Sequence, residues 1–150
     1  MGKAANLRMI RFLVIDRNYL GDVLLSSAAY VEILKHFPNA ELLTSPEARE
    51  LGERYFKRVH TSWKTVGRVD IAINLNTERN VNLRMLSRRI PLRIGYAYKR
   101  PGLSLQIANR CLNIGIPVDH QMFTKGYRLD EVCDLIEAVF GWKSERKMRW

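Results

Sequence analysis

One stretch near the start of the chain limits its fold more than any other. Residues 10–15, IRFLVI, form a short, apolar, β-branched run, as in a buried strand. A polar turn, Asp16-Arg17-Asn18-Tyr19, follows, and Leu20-Gly21-Asp22 then opens a stretch with helical spacing. Leu24, Ala28 and Val31 fall on one face of that helix, with Leu34 beside them. A strand that opens through a turn into a helix is the building unit of α/β sheets, where ligands gather at the carboxyl ends of the strands. Asp22 stands at such an edge.

The unit recurs down the chain. Pro38-Asn39 ends the first helix near Phe37, and Glu41–Thr44 predicts a second strand, parallel to the first. Ser45-Pro46 has the form of a helix start, a capping serine with proline at the first helical position, for a helix over residues 46–55. A short strand is expected at 59–61 and a polar connection at 64–68. Residues 69–75, VDIAINL, read as a strand, with Asn74, Asn76 and Thr77 clustered at its carboxyl end. A helix over 78–89 carries Val81, Leu83, Met85 and Leu86 among four arginines. Leu92–Tyr98 reads as a strand or extended piece. Residues 103–113 fit a strand or a short helix equally, and 117–120 a loop. Residues 127–140 form an amphipathic helix with Leu129, Val132, Ile136 and Val139 on one stripe. The alternation predicts a Rossmann-like, mostly parallel sheet with helices on both faces. It lies within residues 9–142, between a basic lead-in at 1–8 and a frayed basic tail at 143–150.

At 150 residues the chain is long enough for one domain with a real core. No apolar run reaches the length of a membrane span, and the N-terminus lacks the apolar region of a signal peptide, so a cytoplasmic location is expected. Cys111 and Cys133 are far apart and fit reduced, buried thiols. The net charge of +10 favours polyanionic partners: nucleic acid, an anionic membrane surface or a phosphorylated substrate. The chain has no recognisable nucleic-acid motif and its basic residues are spread out, which argues against the first. Dinucleotide and P-loop glycine patterns, a Gly-x-Ser-x-Gly elbow and clustered metal ligands are all missing. Asp22 therefore carries the functional question. On spacing alone the reading as a helix-capping or first-turn carboxylate comes first, ahead of a general base within reach of a substrate hydroxyl.

Four segments in order give the sequence a family likeness. They are Gly21-Asp22-Val23-Leu24-Leu25 with the later Phe37-Pro38-Asn39-Ala40, then residues 68–75, then Arg93-Ile94-Gly95-Tyr96, then Pro117-Val118-Asp119-His120 with the helix ending near Phe140-Gly141. Together they resemble the first domain of family 9 glycosyltransferases, the ADP-heptose:lipopolysaccharide heptosyltransferases. The resemblance implies the acceptor-side half of a two-domain GT-B enzyme that inverts the sugar carbon. Asp22 would be the base, and Arg17, Asn18, Asn76, Arg93 and His120 would bind the acceptor. It implies no cofactor and no metal, since a nucleotide-sugar such as ADP-heptose is a substrate. The implied partners are an anionic glycolipid acceptor, a donor-binding half and the inner-membrane surface, where the enzyme would be peripheral. Without a donor-binding half, little turnover is expected. The non-catalytic alternative is a binding or assembly module that keeps the fold. The chain departs from the family at Asp16, where a Lys or Arg is usual, so that Arg17 is the candidate substitute. Arg128 is the nearest candidate for an arginine the family often carries after its histidine.

Overall fold

The computed structural model describes residues 10–76, 79–99, 102–118 and 128–147. The strands are β1 (Phe12–Asp16), β2 (Glu41–Thr44), β3 (Val59–His60), β4 (Ile71–Asn74), β5 (Leu92–Tyr98) and β6 (Ile114–Val118). The helices are α1 (Leu20–Leu25), α2 (Ser27–His36), α3 (Arg49–Glu53), α4 (Arg79–Ser87), α5 (Leu103–Arg110) and α6 (Arg128–Phe140). All strand pairs are parallel, in the order β3-β2-β1-β4-β5-β6.

β1 is the central strand and is buried along its whole length. Because side chains alternate along a strand, it splits the core in two. Phe12 and Val14 pack with Tyr30 and Ile33 of α2 and with Val132 and Ile136 of α6. Leu13 and Ile15 face the other way, onto Trp63, Val66 and, from α4, Val81 and Met85. Helices on both faces bury both sides of the parallel sheet, as such sheets require.

Several elements differ from their sequence-based expectations, each for a physical reason. The first helix is broken at Ser26, whose hydroxyl donates to the Asp22 carbonyl at 3.0 Å, a side-chain bond of the kind that bends helices. Its buried stripe is Ala29, Tyr30 and Ile33 with Ala28, while Leu24, Val31 and Leu34 are only half-buried. Ser45 does not cap. Its hydroxyl donates to the Asn18 carbonyl at 3.3 Å, and a tight turn at Pro46–Ala48 precedes the short α3. Residues 103–110 are helical. Pro117 and Val118 lie in β6 and not in a loop, and β6 is an edge strand, where a residue without an N–H is tolerated. Gly115 lets this edge close: a Cβ there would lie 2.8 Å from that of Ala97 on β5. Cys111 and Cys133 are buried free thiols. In the tail expected to fray, Arg146 ties the described residues 143–147 to α6, donating to Asp130 at 2.8 Å and Asp134 at 2.5 Å.

Candidate functional site

The strand order turns back on itself between β1 and β4, since the chain moves outward to β2 on one side and to β5 on the other. At this switch point the carboxyl ends of two neighbouring strands open a crevice. A chain of short polar side chains lines it. The Arg17 amide donates to the Asn76 Oδ1 at 2.8 Å, and Asn76 Nδ2 donates to Asn18 Oδ1 at 3.3 Å. Asn18 Nδ2 in turn donates to Asp16 Oδ1 at 2.7 Å. On the β4 side, Asn74 accepts from the Asn76 amide at 2.8 Å and donates to Asn82 of α4 at 2.7 Å. Arg17, Asn18 and Asn76 are thus brought together. Buried Asn76 acts as the clasp between the two strand ends, and Arg17 points its exposed side chain outward.

Asp16 is fully buried at the end of β1. Its carboxylate accepts from the Tyr30 hydroxyl at 2.6 Å and lies 3.4 Å from Arg128 Nη2. Arg128 also donates to the Leu75 carbonyl, so that α6 is tied to both strands at the switch point. Burial, followed by the Asp16 charge, pushes the Tyr30 hydroxyl pKa well up, so it remains a donor. The Arg128 pKa is raised too: burial opposes its charge, but Asp16 and the surrounding groups more than compensate. Asp16 is therefore a structural anion with its own buried cation, and does not face a ligand.

Asp22 is the third residue of α1, not its cap. Tyr19 holds the cap position and makes no side-chain capping bond. The Asp22 carboxylate is half-exposed, and no described residue donates a hydrogen bond to it. Glu131 of α6 is its electrostatic neighbour. Burial first, and then the Asp22 charge, raise the Glu131 pKa, against the pull of Arg128. One Glu131 oxygen is buried without a partner among the described residues. The edge thus offers a carboxylate without a hydrogen-bond donor among the described residues, beside a second one that holds its proton to higher pH, a combination suited to proton transfer.

On the other face of the sheet lies a groove of about 500 Å³, lined by Arg17, Trp63, Asn80, Arg84 and Ser87. Its wall is set by Arg88, which lies 5.6 Å over the Trp63 ring and donates to the Trp63 and Val66 carbonyls. Arg17 and Arg84 have no ion pair among the described residues, so the groove is positively charged and open to an anion.

One predicted acceptor residue stands apart from this assembly, and another is not among the described residues. Arg93 lies near the amino end of β5, at the opposite edge of the sheet, and is not part of the crevice. Its guanidinium donates to the Cys111 and Ile90 carbonyls, both at 2.6 Å, which fixes the corners around β5. His120 lies outside the described residues. Of the aromatic residues with sugar-stacking potential, Trp63, Tyr96 and Tyr98 are buried, and only Tyr19 is exposed at this edge. Sequence reasoning missed the buried pair Asp16–Arg128 and the neighbour Glu131. The signal for the pair was present: an acid closing a wholly apolar strand needs a buried counter-ion.

The six parallel strands in this order, with helices on both faces, define a Rossmann-like α/β domain with its crevice at the β1/β4 switch point. No family model and no curated protein matches the sequence. Among solved structures the chain is similar to the Escherichia coli heptosyltransferase WaaC with ADP, at TM-score 0.68 and 12% identity, over 92% of this chain and 49% of that one. WaaC with ADP-2-deoxy-2-fluoro heptose gives 0.66 and 12%, over 92% and 50%. A dodecameric FMN-dependent UbiX-like decarboxylase from Escherichia coli gives 0.53 and 14%, over 94% and 99%. The chain spans about half the length of the heptosyltransferase structures it matches. At these identities the likeness is one of fold.

Proposed function

We propose that this domain is the acceptor-binding side of an inverting, heptosyltransferase-like glycosyltransferase, with Asp22 as the catalytic base. The observation that carries the reading is the half-exposed Asp22 carboxylate beyond the carboxyl end of the central strand, to which no described residue donates a hydrogen bond. A sugar hydroxyl is a poor nucleophile, and a positioned base removes its proton as it attacks. The acceptor oxygen then bonds to the anomeric carbon of the donor sugar, Asp22 takes the proton, and the nucleoside diphosphate leaves with the bonding electron pair. Arg17 and Arg84 suit a phosphate or carboxylate on an anionic glycolipid acceptor, and Asn18 suits a sugar hydroxyl. The donor is a nucleotide-sugar such as ADP-heptose, held by a separate donor-binding half.

The test is sugar transfer in an assay supplied with a donor-binding half, comparing wild type with Asp22→Asn. This isosteric change removes the base and leaves the crevice in place. Transfer is expected to fall by ~10²–10⁴, the usual contribution of a general base, while acceptor binding persists. Undiminished transfer by the variant would favour a non-catalytic binding module on the same fold.

A further inference from the structure

We propose that this chain associates head to tail with copies of itself, the outer ridge of α4 and α5 on one copy seating in the groove between α1 and α3 on the next. The inference does not rest on the acceptor-site reading. Among the described residues six large hydrophobic side chains are strongly exposed, and they fall on two surfaces. Leu83 and Leu86 of α4 form one with Leu103 and Ile107 of α5, and Tyr19 and Leu20, at the start of α1, belong to the other. Exposed apolar side chains gathered in this way mark surfaces that a partner covers.

The first surface is a cationic ridge. Asn82 of α4 donates to the Ala108 carbonyl at 3.3 Å, which sets the two helices side by side. Asn109 accepts from the Tyr98 amide and donates to the Tyr98 carbonyl, each at 3.0 Å. With 108 and 109 turned inward, the 3.6-residue period puts Leu103, Ile107 and Arg110 outward. Leu103 is 76% exposed. Residues 79–118 contain eight Lys and Arg and no Asp or Glu, so no acid of this segment neutralises the ridge.

The second surface is a groove of about 410 Å³, lined by Leu20, Leu24 and Leu51 together with Glu47, Glu50 and Arg54. The ion pair of α3 joins Arg49 to Glu53 at 2.8 Å. Glu47 and Glu50 are exposed and have no ion pair among the described residues. An apolar ridge flanked by cations thus fits an apolar groove that carries two unpaired acids, which is complementarity of both shape and charge.

The fold keeps the two surfaces apart. α3 sits on β2 and β3, where a Cβ at Gly52 would lie 2.6 Å from the Leu42 side chain, and Leu51 packs on the core that includes Phe12 and Val14. α4 and α5 lie at the β4–β5 flank, and α4 packs on the opposite core through Val81 and Met85. The surfaces therefore occupy opposite faces and opposite flanks, and they cannot meet within one molecule. Nor can two copies engage both surfaces at once. Each pairing leaves one ridge and one groove open, so the contact is heterologous and propagates.

Sedimentation velocity over a concentration series of the intact chain tests this. Wild type is expected to grow beyond dimers as the concentration rises. Leu103→Gln with Ile107→Gln removes the ridge, and Leu20→Gln with Glu50→Lys spoils the groove; all four side chains are exposed. Each variant alone should associate at least several-fold more weakly. An equimolar mixture of the two should regain the wild-type affinity in a one-to-one dimer that grows no further, because only one intact ridge and one intact groove remain. Such rescue also shows that both variants are folded. Lys99→Glu with Arg110→Glu for the ridge, and Glu47→Lys for the groove, form a second pair with the same expectation. The proposal is overturned if wild type stays monomeric throughout, or if either variant alone associates as wild type does. It is equally overturned if mixtures of variants with the wild-type circular dichroism spectrum stay as monomeric as their parts.

Discussion

Asp16 shows how one residue can be both out of place and essential. The family likeness calls for a cation at the end of the first strand, and this chain has an acid there. The acid is fully buried and is made tolerable by Arg128 and Tyr30. Removing one partner of a buried ion pair strands the other, at a cost of about 3–5 kcal/mol, whereas replacing both by neutral groups costs far less. Arg128→Met should therefore destabilise by about that amount in denaturant unfolding, and adding Asp16→Asn should restore a large part of the loss. Simple additivity of the two changes would mean that they do not act as a pair. The contrast with Asp22 is instructive. Six residues further on, the second carboxylate has no such partner among the described residues, and this separates a candidate base from a structural anion.

At the scale of elements, β3 is only two residues long and is held at the sheet edge by a polar network beneath it. Glu41 of β2 lies 3.0 Å from Arg11, 2.9 Å from Arg58 and 3.0 Å from the His60 ring, whose other nitrogen lies 2.8 Å from the Thr65 hydroxyl. Burial alone raises the Glu41 pKa, but the bonds from His60, Arg11 and Arg58 outweigh it and hold the pKa below the ordinary 4.5. An acid with a lowered folded-state pKa stabilises the fold above its unfolded value. That contribution is lost as pH falls through the folded value. Glu41→Gln should thus lower the melting temperature at neutral pH, and the gap to wild type should close on acidification below about pH 4.5. A gap unchanged in acid would assign the effect to packing instead. Elements whose signals are local were legible in sequence: β1 from its apolar run, β5 to the residue, α6 from its stripe. Elements governed by distant partners were not. Ser26 breaks a helix that the periodicity carries straight through, and β6 holds a proline that reads as loop until its edge position is known.

For the whole molecule, the parallel α/β architecture followed from the alternation of strands and helices, and the crevice from the rule that ligands meet strand carboxyl ends. The sequence pattern also brought out Arg17, Asn18, Asn76 and Asp22, which share that edge. It grouped Arg93 with them because a motif carries no information about which end of a strand a side chain reaches. The tie between Asp16 and Arg128 spans 112 positions, and no local pattern connects residues so far apart. Charge is partitioned along the chain, with no Asp or Glu between residues 79 and 118. The central claim is that the β1/β4 edge receives an anionic sugar acceptor. It is tested most directly by titrating the isotope-labelled chain with a de-acylated, phosphorylated lipopolysaccharide inner-core oligosaccharide and following backbone amide shifts. Saturable shifts concentrated at residues 17–22, 76 and 80–84 are the predicted result. Shifts that never saturate there, or that saturate only in the groove beside Leu24, Glu50, Leu51 and Arg54, would contradict it.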